Sequence, residues 1–134
     1  MTVLTRERAP AKINLCLYLG PTRDDGRHEL VTLFDAVSLF DELEVVAAAH
    51  DSVVCEGVTG PNLVSDALGA LRGAGWAAPA LRVTITKRIP VAAGMGGGSA
   101  DAAALLRLAP RLAPTDGASR LRIAGRLEIG RAHV

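Results

Sequence analysis

Two clusters in this 134-residue chain carry groups suited to holding and moving an anionic substrate. The first reads Pro90-Val91-Ala92-Ala93-Gly94-Met95-Gly96-Gly97-Gly98-Ser99-Ala100. Residues without a β-carbon let an anion approach the main chain, and the N–H groups that open a helix lack intrahelical acceptors and carry partial positive charge. Phosphate binding is the chemistry this combination serves. A linker or a plain strand-to-helix turn is the competing reading, but a turn needs one or two glycines and a linker needs no alanine-rich helix behind it. The second cluster, Ala9-Pro10-Ala11-Lys12-Ile13-Asn14-Leu15, places an ammonium and an amide two residues apart. On a solvated sheet that pair is ordinary; beside a phosphate loop, the lysine offsets phosphoryl charge and the amide orients a substrate oxygen.

The elements that must position these groups follow from periodicity. Leu81-Arg82-Val83-Thr84-Ile85-Thr86-Lys87 alternates apolar and polar side chains as a half-buried strand does, and Pro90 ends it. The run Ala100 to Leu108 is rich in helix formers, with Ser99 and Asp101 as polar residues at its start, so the glycines are expected at a helix N-terminus. Alternation along 12–19 puts Ile13, Leu15, Leu17 and Leu19 on one strand face and Lys12, Asn14, Cys16 and Tyr18 on the other. Asp25-Gly26 signals a hairpin turn between Leu19 and Leu30. Residues 42–46 and 52–55 read as short strands, and Asn62 as the cap of a helix over 63–71 that ends at Gly73-Ala74-Gly75.

Familiar glycine motifs are excluded. No lysine follows the run as a P-loop requires, and Ala113-Pro114-Thr115-Asp116-Gly117 reads as a loop where a dinucleotide fold would need a second strand ending in an acid.

The run resembles instead the phosphate loop of the superfamily of galactokinase, homoserine kinase, mevalonate kinase and phosphomevalonate kinase. Gly-Met-Gly-Gly-Gly-Ser-Ala-Asp and Pro-Ala-Lys-Ile-Asn-Leu together are similar to the branch that phosphorylates 4-diphosphocytidyl-2-C-methyl-D-erythritol in non-mevalonate isoprenoid synthesis. The resemblance implies an α+β fold of two layers, a mixed sheet packed against helices, of the kind also found in ribosomal and gyrase domains. It implies ATP at Pro90 to Ala100, with Mg2+ assisted by Ser99, and Lys12 as the catalytic lysine. Asn14 and His28 become contacts to the small-molecule substrate, and Asn62 either a contact near adenine, a helix cap alone, or both. Arg27 stands where this branch carries tyrosine; its guanidinium plane can stack on a base as the aromatic ring does. A sibling kinase for homoserine or a mevalonate derivative would share the loop and lack Asp-Gly-x-His, and a non-catalytic binding domain would not need Lys12 with the loop.

Composition sets the remaining bounds. Fifteen basic against fourteen acidic residues, with 3% aromatics, give no nucleic-acid surface, and 49% apolar content suits one core of ordinary size. Cys16 and Cys55 lack metal-site spacing and are expected as reduced core thiols. The first eight residues have no apolar signal core and no run reaches membrane-spanning length, so the cytoplasm is the expected compartment. The kinase resemblance covers residues 9 to about 127, expected as one ATP-binding domain over 1–127. The heptapeptide 128–134 resembles the translation of a sequencing-library adapter, and the family's catalytic aspartate is expected beyond Leu127; on that reading the chain is an incomplete, inactive copy.

Overall fold

In the computed structural model, which describes residues 2–91, 93–127 and 129, a four-stranded sheet is packed against two of three helices, and the third lies against the first of them. The strands are β1 (Val3–Thr22), β2 (His28–Ala47), β3 (Ser52–Cys55) and β4 (Leu81–Thr86). The helices are α1 (Leu63–Gly73), α2 (Gly97–Leu112) and α3 (Gly117–Arg126). Sheet order is β1-β2-β4-β3, with β1, β2 and β4 antiparallel and β3 parallel to β4, so the expected α+β, two-layer, mixed-sheet architecture holds.

Period-two alternation decides which face the helices cover. Leu43 pairs with Ile85 and Val45 with Val83, and all four are buried; Glu44 and Thr84, also paired, look the other way. Against the apolar face lies the alanine-rich α2, whose Ala102, Ala103, Ala104, Leu105 and Leu108 are enclosed. Small side chains there let the helix lie close to β1 and β2. Asn62 caps α1 through a 2.8 Å bond from the Val64 N–H to its Oδ1, and Asp116 caps α3 from the Ser119 N–H at 2.6 Å. Residues 42–46 are not a separate short strand but the end of the twenty-residue β2, because the hairpin continues through them to the β4 pairing.

Beyond Pro10 the β1–β2 hairpin leaves the sheet as a two-stranded ribbon. A bulge corrects the alternation expected for it. Asn14 pairs with Phe34 but Cys16 with Leu33, so Leu15 is the extra residue and the faces exchange after it. Lys12 and Asn14 therefore share a face with Leu17 and Leu19, while Ile13 lies with Cys16 and Tyr18. Leu15, Leu17, Tyr18, Leu19, Val31 and Leu33 are all exposed on this ribbon. Cys16 is exposed with them, against the expectation of a core thiol; both cysteines are free.

No described helix is long and apolar enough to cross a membrane. The 128–134 heptapeptide lies outside the described residues apart from Ile129, which is buried and donates its N–H to the Ala124 carbonyl at 3.0 Å.

Candidate active site

Lys12 sits where the ribbon leaves the sheet, and there the two sequence clusters meet. Its backbone N–H donates to the Met95 carbonyl at 3.1 Å and its Nζ to the Gly94 carbonyl at 3.0 Å, across 82 residues of sequence. Both bonds go to the main chain of the glycine run, so β1 pins the loop and the loop pins the ammonium. On the same face, Asn14 Oδ1 lies 3.2 Å from Thr32 Oγ1, and that hydroxyl is also 2.9 Å from the Cys16 carbonyl, which fixes the amide beside the lysine.

The run itself uses its glycines for different reasons. Gly94 and Gly96 have φ of 73° and 68°, the left-handed region that side chains with a β-carbon rarely adopt. Gly96 is the N-cap of α2 and supplies no side chain to the helix end, so the N–H groups of Gly97, Gly98 and Ser99 are left without intrahelical acceptors; Ala100 N–H is the first to close a turn, on the Gly96 carbonyl at 2.8 Å. The helix thus begins three residues before the expected Ala100. Ser99, half-buried, stands inside its first turn, and Ala100 is enclosed. A β-carbon on Gly97 would lie 3.0 Å from Lys87 Nζ and 3.1 Å from Ile89 Cγ2, whereas one on Gly98 would meet only Leu63 Cδ1 at 3.9 Å and one on Gly94 would meet nothing within 4 Å. Gly97 is a packing requirement; Gly94 and Gly98 keep the backbone open.

Gly97 and Gly98 form one wall of a cavity of about 260 Å³ whose other walls include Asn62, Leu63, Lys87, Pro90 and Val91. Asn62 is therefore at once a helix cap and a cavity residue. A larger groove of about 990 Å³ runs between α1 and α3 and contains none of the expected site residues. Pro90, Val91 and Ala93 lead into the loop, and Met95 contributes its carbonyl to Lys12; Ala92 lies outside the described residues.

His28 and Arg27 are not brought to this cavity. Both are exposed at the tip of the ribbon, where Thr22 pairs with His28; the His28 Nδ1 lies 3.1 Å from the Gly20 carbonyl, and the Arg27 N–H donates to Asp25 Oδ1 at 3.0 Å. Eight strand positions separate Lys12 from Gly20, about 26 Å along the strand.

One cluster escaped the sequence reading. Lys87 Nζ, at the end of β4, bridges Asp41 Oδ2 at 2.6 Å and Asp101 Oδ2 at 2.9 Å. Asp41 is fully buried, and its Oδ1 also accepts from the N–H groups of Arg88 (2.6 Å) and Ile89 (2.8 Å). Burial, with the neighbouring Asp41 adding to it and Lys87 opposing, pushes the Asp101 carboxyl up to about 8. Burial acts on Asp41 in the same direction but is outweighed by hydrogen bonds from Asp101, from Lys87 and from the two N–H groups, which hold it below the ordinary range. Lys87 is raised: its burial is outweighed by the hydrogen bonds to the two carboxyls. With the Asp101 carboxyl pushed up and the Asp41 carboxyl held down, Asp41 is the stronger acid of the two and the main ionic partner of Lys87, whose ammonium also donates to Asp101 Oδ2. Asp101 Oδ1 is enclosed without a partner, which a neutral carboxyl tolerates and a carboxylate does not. The members come from 41, 87 and 101, so no local spacing signals them.

Among the described residues no group of three or more His, Cys, Asp and Glu side chains could hold a metal ion. Comparison with known proteins gives the family. Residues 62–133 match the GHMP kinases N terminal domain. Over 109 residues the chain is 49% identical to 4-diphosphocytidyl-2-C-methyl-D-erythritol kinase of Kineococcus radiotolerans, covering 74% of this chain and 34% of that protein. Over 130 residues it is 45% identical to the protein of that name from Anaeromyxobacter sp. strain K, covering 91% and 41%. A crystal structure of 4-(cytidine 5'-diphospho)-2C-methyl-D-erythritol kinase superposes with a TM-score of 0.70 at 40% identity over 89% of this chain and 46% of that one. The chain spans between a third and half of the length of these relatives.

Proposed function

We propose an activity on the ground that this chain belongs to the GHMP kinase family: transfer of the γ-phosphoryl group of ATP to a hydroxyl of 4-diphosphocytidyl-2-C-methyl-D-erythritol, in the cytoplasm, with this chain as the nucleotide-binding part of the enzyme. The observation that carries the proposal is the junction of Lys12 with the glycine loop, an ammonium 3.0 Å from the Gly94 carbonyl beside the open start of α2. The names of the relatives at 45–49% identity support the choice of substrate.

The residues fit a triphosphate. Two left-handed glycines turn the backbone, and at Gly94 and Gly98 there is room where a side chain would stand. At about 260 Å³ the cavity beside Asn62 is smaller than the ~300–1,000 Å³ typical of whole-ligand pockets. It takes the base end, and the phosphates lie over the loop. Asn62 and Lys87 bind there, the N–H groups of Gly97, Gly98 and Ser99 orient the phosphates, and Lys12 offsets charge where the phosphoryl group is transferred. Mg2+ would enter with the nucleotide and offset phosphate charge, with the Ser99 hydroxyl as its protein ligand. Asn14 faces the acceptor substrate, and His28 with Arg27 holds its cytosine end out on the ribbon.

This assignment leaves the general base, an aspartate in this reading, to the remainder of a longer protein, and the exposed apolar ribbon supports a role in meeting that remainder. Residues 1–134 alone would bind ATP and turn over poorly. The test is a phosphoryl-transfer assay with ATP and the diphosphocytidyl substrate, run on this chain and on the same chain extended by the family's following segment. Activity in the extended form only is expected. Robust turnover by the short form would overturn the division of labour, and transfer to homoserine or a mevalonate derivative in its place would overturn the substrate.

A further inference from the structure

We infer that Asp41, which does not itself line the cavity but holds Lys87, which does, is a positioning residue for nucleotide binding; the inference rests on the nucleotide reading above. Glu42 with Thr86 is the last pair that joins β2 to β4. Beyond it the backbone of 87–89 has left the ladder, and its N–H groups need other acceptors. Asp41 supplies them: one carboxylate oxygen takes the N–H of Arg88 and of Ile89, and the other takes the Lys87 ammonium. Three consecutive residues are thereby fixed by a single enclosed side chain.

Those residues are the floor under the start of α2. The α-carbon of Gly97 is so close that an added β-carbon would stand 3.0 Å from Lys87 Nζ and 3.1 Å from Ile89 Cγ2. Ile89 is 1% exposed and has nowhere to move. Lys87 is itself a wall of the cavity that Asn62, Gly97 and Gly98 complete. Releasing Asp41 frees the ammonium to swing and the 88–89 backbone to shift, and the N–H groups of the loop shift with them. Asp101 holds the same ammonium from the α2 side, so the helix start and the end of β4 are tied at one point.

A purely structural role and a positioning role separate in two measurements. Asp41→Asn keeps an acceptor for the two N–H groups while losing the charge opposite Lys87; Leu43→Ala, in the core two residues away on the same strand, is the control for destabilisation alone. For each folded variant the melting temperature and the Kd for ATP with Mg2+ are measured. Asp41→Asn is expected to weaken ATP binding by about tenfold or more, and Leu43→Ala to leave it within about twofold despite an equal or larger loss of melting temperature. In the unmutated chain, ATP is expected to slow amide exchange at Arg88 and Ile89, a readout that survives if Asp41→Asn does not fold. Unchanged affinity in Asp41→Asn, equal weakening by Leu43→Ala, or exchange at Arg88 and Ile89 indifferent to ATP would each overturn the role of Asp41. Failure of the unmutated chain to bind ATP at all would instead overturn the nucleotide reading.

Discussion

Substituting the adjacent glycines 97 and 98 by alanine separates folding from binding within one loop. At Gly97 the new methyl stands 3.0 Å from an ammonium clamped by two carboxyls and 3.1 Å from a side chain sealed in the core, so neither neighbour can give way without cost. Overpacking of this kind costs about 1–3 kcal/mol, against about 0.5–1 kcal/mol gained by replacing glycine within a helix. The net loss, up to roughly 2.5 kcal/mol, should lower the melting temperature by up to roughly 9 °C in a chain of this size. At Gly98 the methyl meets only Leu63 Cδ1 at 3.9 Å, ordinary contact, and no positive φ opposes it. Gly98→Ala should therefore melt at the parent temperature or a few degrees above. Its methyl nevertheless occupies the face where a phosphate would approach; losing one charge-assisted N–H contact at about 1.5–3 kcal/mol raises the Kd for ATP roughly 10- to 100-fold. Calorimetry gives both quantities, scanning for stability and titration with ATP and Mg2+ for affinity. Gly98→Ala that keeps its melting temperature and binds ATP as the parent does would refute the reasoning and remove the α2 start from the site.

Lys12→Ala should leave the melting temperature nearly unchanged, since Lys12 Nζ makes one bond to a loop carbonyl, and should lower turnover by orders of magnitude in an extended, active form of the enzyme; near-normal turnover would sink its catalytic role. Asn62→Ala should lose about 1 kcal/mol with the α1 cap, while Asn62→Asp keeps the cap but sets a carboxylate in the cavity; thermal melts and ATP titration of both should show stability following the cap and affinity falling in each, and full ATP affinity in Asn62→Asp would reduce Asn62 to a cap. Asp101→Asn tests the buried pair through pH: with the folded carboxyl near 8 against 3.8 ordinarily, the folded state keeps a proton that the unfolded chain releases, so this group makes stability fall as pH rises from about 4 to 8 and stay level above. The asparagine removes that loss, so melting temperatures of variant and parent should agree near pH 4 and diverge in favour of the variant toward pH 8; parallel curves over that window would show that Asp101 is ionised in the fold.

Local periodicity and side-chain chemistry were enough for several elements. The alternation of 81–86, the turn at Asp25-Gly26, the Asn62 cap and the glycines ahead of an alanine-rich helix are written within short windows, because a strand face, a tight turn and a helix end are each satisfied by neighbours in sequence. Lys12 and the loop glycines could be singled out as candidates for the same reason, as residue types at fixed spacing, while their meeting across 82 residues was visible only in the fold. Tertiary structure decided what depends on pairing at long range. The Leu15 bulge exists only in the register between β1 and β2, and it moved Leu17 and Leu19 onto the face of Lys12 and Asn14. The α2 start moved back to Gly97 because the Gly96 carbonyl, not a Ser99 or Asp101 side chain, closes the first turn. His28 and Lys12 proved to lie at opposite ends of the ribbon. Asp41, just ahead of the run 42–46, and Asp101, a polar residue at a helix start, became partners of one ammonium only when β2, β4 and α2 packed together, since burial and the approach of charges from distant segments are what shift a carboxyl and no run of adjacent residues records either.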